Sequence, residues 1–301
     1  MADYGRAPAF GVFPTPEAET VDDVIAMAEI ADREGLELIG IQDHPYQRRH
    51  LDTWMLMATI LARTDRIRVF PDVANLPLRL PAVMAKAAAS LDVLSGGRFE
   101  LGLGAGAFYE AVVAMGGPDR TGGQAATALA EAVEIIRGMW SDQRSVRFSG
   151  EHYQVSGVKP GPYPAHEMEL WLGVGGPRML DLLGRRADGW IPSSSYFPRE
   201  SLLSRHERID EAAVDTGRDP SSIRRLYNVL GRVTDGASNG WLSGPAAQWV
   251  DELTELTLTY GMDAFIFGPA TDPVRQTHRF AEDVVPAVRA AVDRERGGTS
   301  A

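Results

Sequence analysis

Apolar residues in this chain follow two alternating rhythms: short solid runs, and longer stretches in which they recur three and four apart. The solid runs predict buried strands and the wider spacing predicts amphipathic helices. Residues 10–13 give a first strand. Residues 21–34 give a helix whose start, Thr20 with Asp23 three residues on, resembles a capping arrangement and whose end is marked by Gly35. Strands over 38–42, 67–70 and 99–103 then alternate with helices over 54–62 and 81–94, and a long helix follows over 124–140. There the rhythm breaks, because 146–155 alternates apolar and polar residues around Ser149-Gly150-Glu151 and reads as a β-hairpin. The repeat resumes with strands over 170–174, 190–191, 226–233 and 264–267 and a helix over 178–187.

Eight strands with intervening helices predict an α/β fold of the (β/α)8 TIM barrel type. Insertions sit at its C-terminal face and include the hairpin after the fourth helix. Strand seven is the least defined, since 217–245 is rich in turn formers and reads equally as an active-site loop. We expect one domain over 1–296 and a flexible tail over 297–301.

Composition narrows the chemistry. The chain has 301 residues, enough for a barrel that typically needs about 250. It has no cysteine, which excludes disulfides, thiolate metal sites and cysteine nucleophiles. A net charge of −11 without a basic stripe argues against nucleic acid as a partner. Neither a signal-like start nor a membrane-length apolar run is visible, so a soluble, cytoplasmic protein is expected, with no membrane partner. A small-molecule substrate and a homodimer are the partners expected. In so acidic a chain, a phosphorylated cofactor would depend on backbone amides or on a few cations such as Arg79, Lys86 or Arg178.

In a barrel of this kind chemistry belongs at the strand exits. The second strand ends in Asp43-His44-Pro45, placing a carboxylate and an imidazole at the rim, either as a proton-transfer pair or as loop caps. The fourth ends in Gly102-Leu-Gly-Ala-Gly106, where missing side chains let a ligand approach the backbone or merely ease packing. The fifth runs through Gly173-Val-Gly-Gly176 into Pro177, a strand-to-helix turn whose free N–H groups suit a phosphate. His50, His152, His166, His206 and His278 show no metal-ligand pairing. His44 with His50 and Asp52 would make only an ad hoc site, so no metal is expected.

These segments resemble the bacterial luciferase-like flavin oxidoreductases, particularly the branch that uses the deazaflavin coenzyme F420. The Leu-Ser-Gly-Gly-Arg-x-x-Leu-Gly-x-Gly-x-Gly run at 94–106 is the most specific match, and others extend from Gly11 to Trp190 in the family order. The resemblance implies that His44 sits by the reactive ring as proton donor or ring-orienting group, with Asp43 as its cofactor-contacting neighbour. It implies a non-proline cis peptide at Asp72-Val73 that backs the ring. Ala105 and Gly106 would contact the ring or ribityl chain, and Gly173, Val174, Gly175 and Gly176 would form the phosphate loop. Tyr46, Phe108, Tyr109 and Tyr196 are candidate pocket walls.

The chain departs from the sugar-phosphate oxidisers of this branch at two places. It has Ala107 where they carry a glutamate, and Arg48 near where they carry a tryptophan. The expected activity is hydride transfer between coenzyme F420 and a small organic substrate. An FMN-dependent monooxygenase using reduced flavin and oxygen is the alternative, and a noncatalytic flavin-binding barrel is a remoter one.

Overall fold

A computed structural model describes residues 3–298. Its main body is a ring of parallel strands, with helices packed outside. In chain order the elements of the first half are β1 (Ala9–Val12), α1 (Val21–Arg33), β2 (Leu38–Ile41), α2 (Thr53–Leu61), β3 (Arg68–Pro71), β4 (Ala74–Asn75), α3 (Pro81–Ser95), β5 (Leu101–Gly104), α4 (Tyr109–Ala114) and α5 (Gly122–Met139). The second half comprises β6 (Val146–Ser149), β7 (Gln154–Val158), β8 (Leu170–Leu172), α6 (Pro177–Arg186), β9 (Gly189–Trp190), α7 (Leu202–Val214), β10 (Arg224–Val233), β11 (Ser243–Gly244), α8 (Ala246–Leu258), β12 (Ala264–Pro269), α9 (Pro273–Arg279) and α10 (Val285–Gly298).

The strands pair in the order β3, β2, β1, β12, β10, β9, β8, β5, β4. β3 and β4 serve as one barrel strand interrupted at Asp72 and Val73, and a parallel bridge from Val69 to Phe99 closes the ring beside β5. The expected eight-position barrel is therefore present. Its strands are almost wholly buried, as their apolar runs require.

Several local expectations are corrected. Thr20 makes no side-chain cap on α1, whereas Asp52 caps α2 by accepting from the N–H groups of Trp54 and Met55 at 3.0 and 3.2 Å. The short helix α4 was not anticipated. β10 spans ten residues, because its last positions, Arg232 and Val233, pair with β11 after the chain loops back. Of the expected tail, Gly297 and Gly298 end α10, and 299–301 lie outside the described residues.

The alternating segment forms the antiparallel pair β6 and β7. It leaves the far end of α5 and lies back along that helix, where the buried Glu131 carboxylate accepts from the backbone N–H groups of Glu151, His152 and Tyr153 at 2.6, 3.0 and 3.0 Å. A β-carbon on Gly150 would stand 2.3 Å from that carboxyl, so the turn needs glycine there.

At the N-terminal face, further along the same connection from α5 to β8, His166 joins two buried acids. Its Nδ1 lies 2.9 Å from Asp92 and its Nε2 3.2 Å from Glu100. Hydrogen bonding to Glu100, with Asp92 adding to it, raises the imidazole to about 9 against the opposing effect of burial. Because the folded value is raised, this stabilisation is complete below the ordinary value of 6.5 and is lost as pH rises through about 9. The stability difference between wild type and His166→Gln, read from urea denaturation, should be largest near pH 6 and vanish above pH 9; a difference independent of pH would refute the assignment.

Candidate active site

The C-terminal ends of the strands enclose a cavity of about 400 Å³. At the β2 exit the chain turns inward, and the Thr53 hydroxyl donates to the Gln42 carbonyl at 2.7 Å, tying the exit to α2. Asp43 is buried; its Oδ2 accepts from the Asn75 N–H at 3.0 Å, with the Arg79 guanidinium at 3.7 Å. Burial nevertheless outweighs these partners and raises its carboxyl above the usual range. His44 follows, with Nδ1 2.5 Å from the Tyr46 hydroxyl and the Phe108 ring edge-on at 5.7 Å. Burial and the neighbouring His50 lower the His44 imidazole below its ordinary value, against Asp43.

The β3–β4 interruption supplies the centre of the cavity. The Asp72–Val73 peptide is cis, and both residues line the space. Val73 sits against glycines on two neighbouring strands. A β-carbon would fall 2.6 Å from Val73 at Gly104, 2.9 Å at Gly173 and 3.3 Å at Gly102. Those glycines make room for a side chain of the protein itself, the packing use that the sequence allowed beside a ligand approach. Only Gly106 of this run has a positive φ, 92°, where it passes Pro77.

Asp72 accepts from the Asn228 amide at 3.2 Å, and burial drives its carboxyl up to about 7 against that hydrogen bond. Three buried oxygens at this cavity have no hydrogen-bond partner: Asp72 Oδ2, Asn75 Oδ1 and Asn228 Oδ1. Buried acceptors without donors are costly, so together they call for a ligand rich in N–H and O–H groups.

Ala105, Gly106 and Ala107 form the β5 wall, and Gly173, Val174 and Gly175 the β8 wall. Gly176 lies just beyond the lining as the N-cap of α6, with Pro177 opening the helix. Tyr46 and Tyr196 line the cavity as expected; Phe108 and Tyr109 lie outside the lining. Of the three candidate cations, Arg79 is engaged with Asp52 at 2.6 Å and Lys86 with the Gly161 carbonyl at 3.1 Å. Arg178 on α6 lies 3.5 Å from the Thr127 hydroxyl, at the N-terminal turn of α6.

His50 and Asp52 do not gather with His44 into a metal set. Among the described residues the one such grouping is Glu34, His278 and Glu282, away from the cavity. Sequence reasoning missed Asn228 and Leu230 in the lining. Only Asn228 left a signal, as an amide inside the apolar run 226–230.

A closed (β/α)8 barrel thus gathers Asp43 and His44, the interrupted β3–β4 strand and the glycine turn at 173–175 around one cavity. The family described as luciferase-like monooxygenase matches residues 7–239, and the chain belongs to it. It is 33% identical over 209 residues to the F420-dependent glucose-6-phosphate dehydrogenase of Kineococcus radiotolerans, a match covering 66% of this chain and 60% of that protein. It is 30% identical over 242 residues to the F420-dependent hydroxymycolic acid dehydrogenase of Mycobacterium tuberculosis, covering 73% of this chain and 62% of that protein. The chain thus spans about 60% of the length of these curated relatives. A solved F420-dependent secondary alcohol dehydrogenase in complex with an F420-acetone adduct superposes with a TM-score of 0.83 at 19% identity, covering 94% of this chain and 99% of that one. At that identity the likeness is one of fold. No helix among the described residues is long and apolar enough to cross a membrane.

Two substitutions test this geometry. Gly104→Ala should cost about 1–3 kcal/mol by overpacking against Val73. Combining it with Val73→Ala should return part of that loss in chemical denaturation; strict additivity would rule out the contact. Asp72→Asn keeps the shape and removes the charge. Because the folded carboxyl is raised to about 7 from 3.8, wild-type stability falls as pH rises between those values. In urea denaturation the variant should therefore be the more stable at pH 8, by a few kcal/mol, and equal to wild type below pH 3.8.

Proposed function

We propose that this protein is an F420-dependent oxidoreductase that moves a hydride between the deazaflavin coenzyme and a small organic substrate. The observation that carries the reading is the cavity, which Val73 and His44 line together with three residues bearing unpartnered buried oxygens. A deazaflavin ring with its imide N–H and ring hydroxyl, continued by the hydroxyls of its ribityl chain, offers donors of the kind those oxygens lack. The names of the sequence relatives point to the same coenzyme.

When bound, the coenzyme would supply two-electron hydride chemistry. Asp43, His44, Asp72, Val73, Ala105 and Gly106 would hold its ring, and Gly173, Val174, Gly175 and Gly176 would receive its phosphate at the start of α6. Val73 gives the ring an apolar backing. His44, neutral through burial, holds a proton at the edge of the cavity. Ala107 leaves open the place where sugar-phosphate oxidisers carry a glutamate. Ile191, Leu230 and Phe13 add apolar surface, and this combination favours a small, uncharged substrate over a sugar phosphate.

Titration of the protein with F420 and with FMN, followed by fluorescence, tests the coenzyme. Binding of F420 with turnover is the expected result. Binding of FMN alone with consumption of oxygen would establish the monooxygenase reading instead, and F420 binding without turnover a noncatalytic barrel. His44→Ala should lower turnover on the order of 10²-fold; unchanged turnover and affinity would remove His44 from the site.

A further inference from the structure

The hydrogen bond between His44 and Tyr46 carries more than placement. Nδ1 and the phenolic oxygen are 2.5 Å apart, and both side chains line the cavity. A phenol is a much stronger acid than a neutral imidazole N–H, which favours the arrangement in which the Tyr46 O–H donates and Nδ1 accepts. Burial, reinforced by Asp43 and Tyr196, raises the Tyr46 hydroxyl to about 12 and keeps its proton on oxygen. A neutral His44 accepting at Nδ1 must carry its own proton on Nε2.

Phe108 encloses the pair, with its ring 5.7 Å from the imidazole and 6.0 Å from the phenol. It does so from a left-handed backbone, φ 55°, a conformation unfavourable for an L-residue. The other ionisable side chains of the cavity are Asp43, Asp72 and Tyr196. Asp43 is held by the Asn75 N–H and Arg79, and Asp72 is buried beside Asn228, so neither has a direct way to regain a proton from water. Tyr46 is only half-buried.

We propose that Tyr46 is a positioning and relay residue that fixes His44 in its Nε2–H tautomer and resupplies the proton His44 gives to the oxygen of a small ketone or aldehyde. The proposal rests on the hydride-transfer reading above. The carbonyl carbon would receive a hydride, with its two electrons, from a reduced deazaflavin. The C=O π bond breaks, and its electron pair takes the proton from Nε2. Nδ1 receives the Tyr46 proton in the same movement, so no imidazolate forms, and the phenolate regains a proton from water. One hydride and one solvent proton are consumed for each carbonyl reduced to an alcohol.

The tautomer is read by nitrogen NMR of protein labelled with 15N-histidine, without coenzyme, at pH 8. His44 should show an unprotonated Nδ1 and a protonated Nε2, and Tyr46→Phe should shift both nitrogens toward a tautomer mixture. With reduced F420 and cyclohexanone or acetaldehyde, Tyr46→Phe should lose kcat on the order of 10²-fold while its coenzyme affinity stays that of wild type. A protonated Nδ1 in the wild-type protein overturns the assignment whether or not coenzyme binds, and needs no variant to fold. An unchanged nitrogen spectrum and kcat in Tyr46→Phe overturns it equally. Coenzyme binding with no consumption of either carbonyl overturns the substrate class. Failure to bind F420 in the titration defeats only the underlying hydride-transfer reading, since the tautomer is measured without it.

Discussion

Val73 seated among Gly102, Gly104 and Gly173 is the contact on which the cavity depends. Any side chain at Gly104 or Gly173 would lie within 3.0 Å of Val73, so the neighbouring strands have given up side chains to admit one. With Val73 fixed, β4 resumes where the Asn75 N–H reaches Asp43, and Asp43 in turn holds the β2 exit from which His44 and Tyr46 project. On the other side of Val73, the Asp72 N–H donates to the Ile41 carbonyl at 2.7 Å and its carboxyl reaches Asn228 on β10. One apolar interlock thereby sets the relative positions of groups from β2, β4, β5, β8 and β10.

The electrostatics follow from the same burial. Desolvation raises Asp43 and Asp72 and lowers His44, so each shift favours the uncharged form. Burial thus draws both carboxyls toward their uncharged forms, in a chain that as a whole carries −11. A buried carboxyl in its uncharged form avoids the penalty of an unpaired buried ion. Positive charge is kept at its edges, where Arg79 is bound between Asp43 and Asp52 and Arg178 stands on the first turn of α6.

The barrel was legible because eight apolar runs alternate with helical spacing, and each run is buried in the ring. β10 was blurred because its end leaves the apolar core and is completed by β11, a partner brought back from across a loop full of turn formers. Of the expected site residues, Asp43, His44, Asp72, Val73, Ala105, Gly106, Gly173, Val174 and Gly175 meet at one cavity, and Gly176 stands one residue outside it. The reason for the glycines was not legible. A missing side chain shows in a sequence, but what fills its place is decided by another strand, here by Val73. Asn228 was hidden for a related cause: a polar residue in a buried strand gains meaning only from the groups across the barrel, Asp72 among them.

The division of labour between strands and loops bears on how such a site can change. The floor and backing come from strand ends that share Val73 and cannot be altered singly without disturbing one another. Tyr46, Tyr196, Ser193 and Ala107 sit on the connections beyond those strands and take no part in the glycine interlock. On the proposed reading, the coenzyme seat is constrained by packing while the substrate side is free to vary. The His44–Tyr46 pair joins the two, since His44 directly follows the packed Asp43 and Tyr46 lies past Pro45 in the loop. On that reading, a proton path at the junction would let the substrate side change while the coenzyme seat stays as it is.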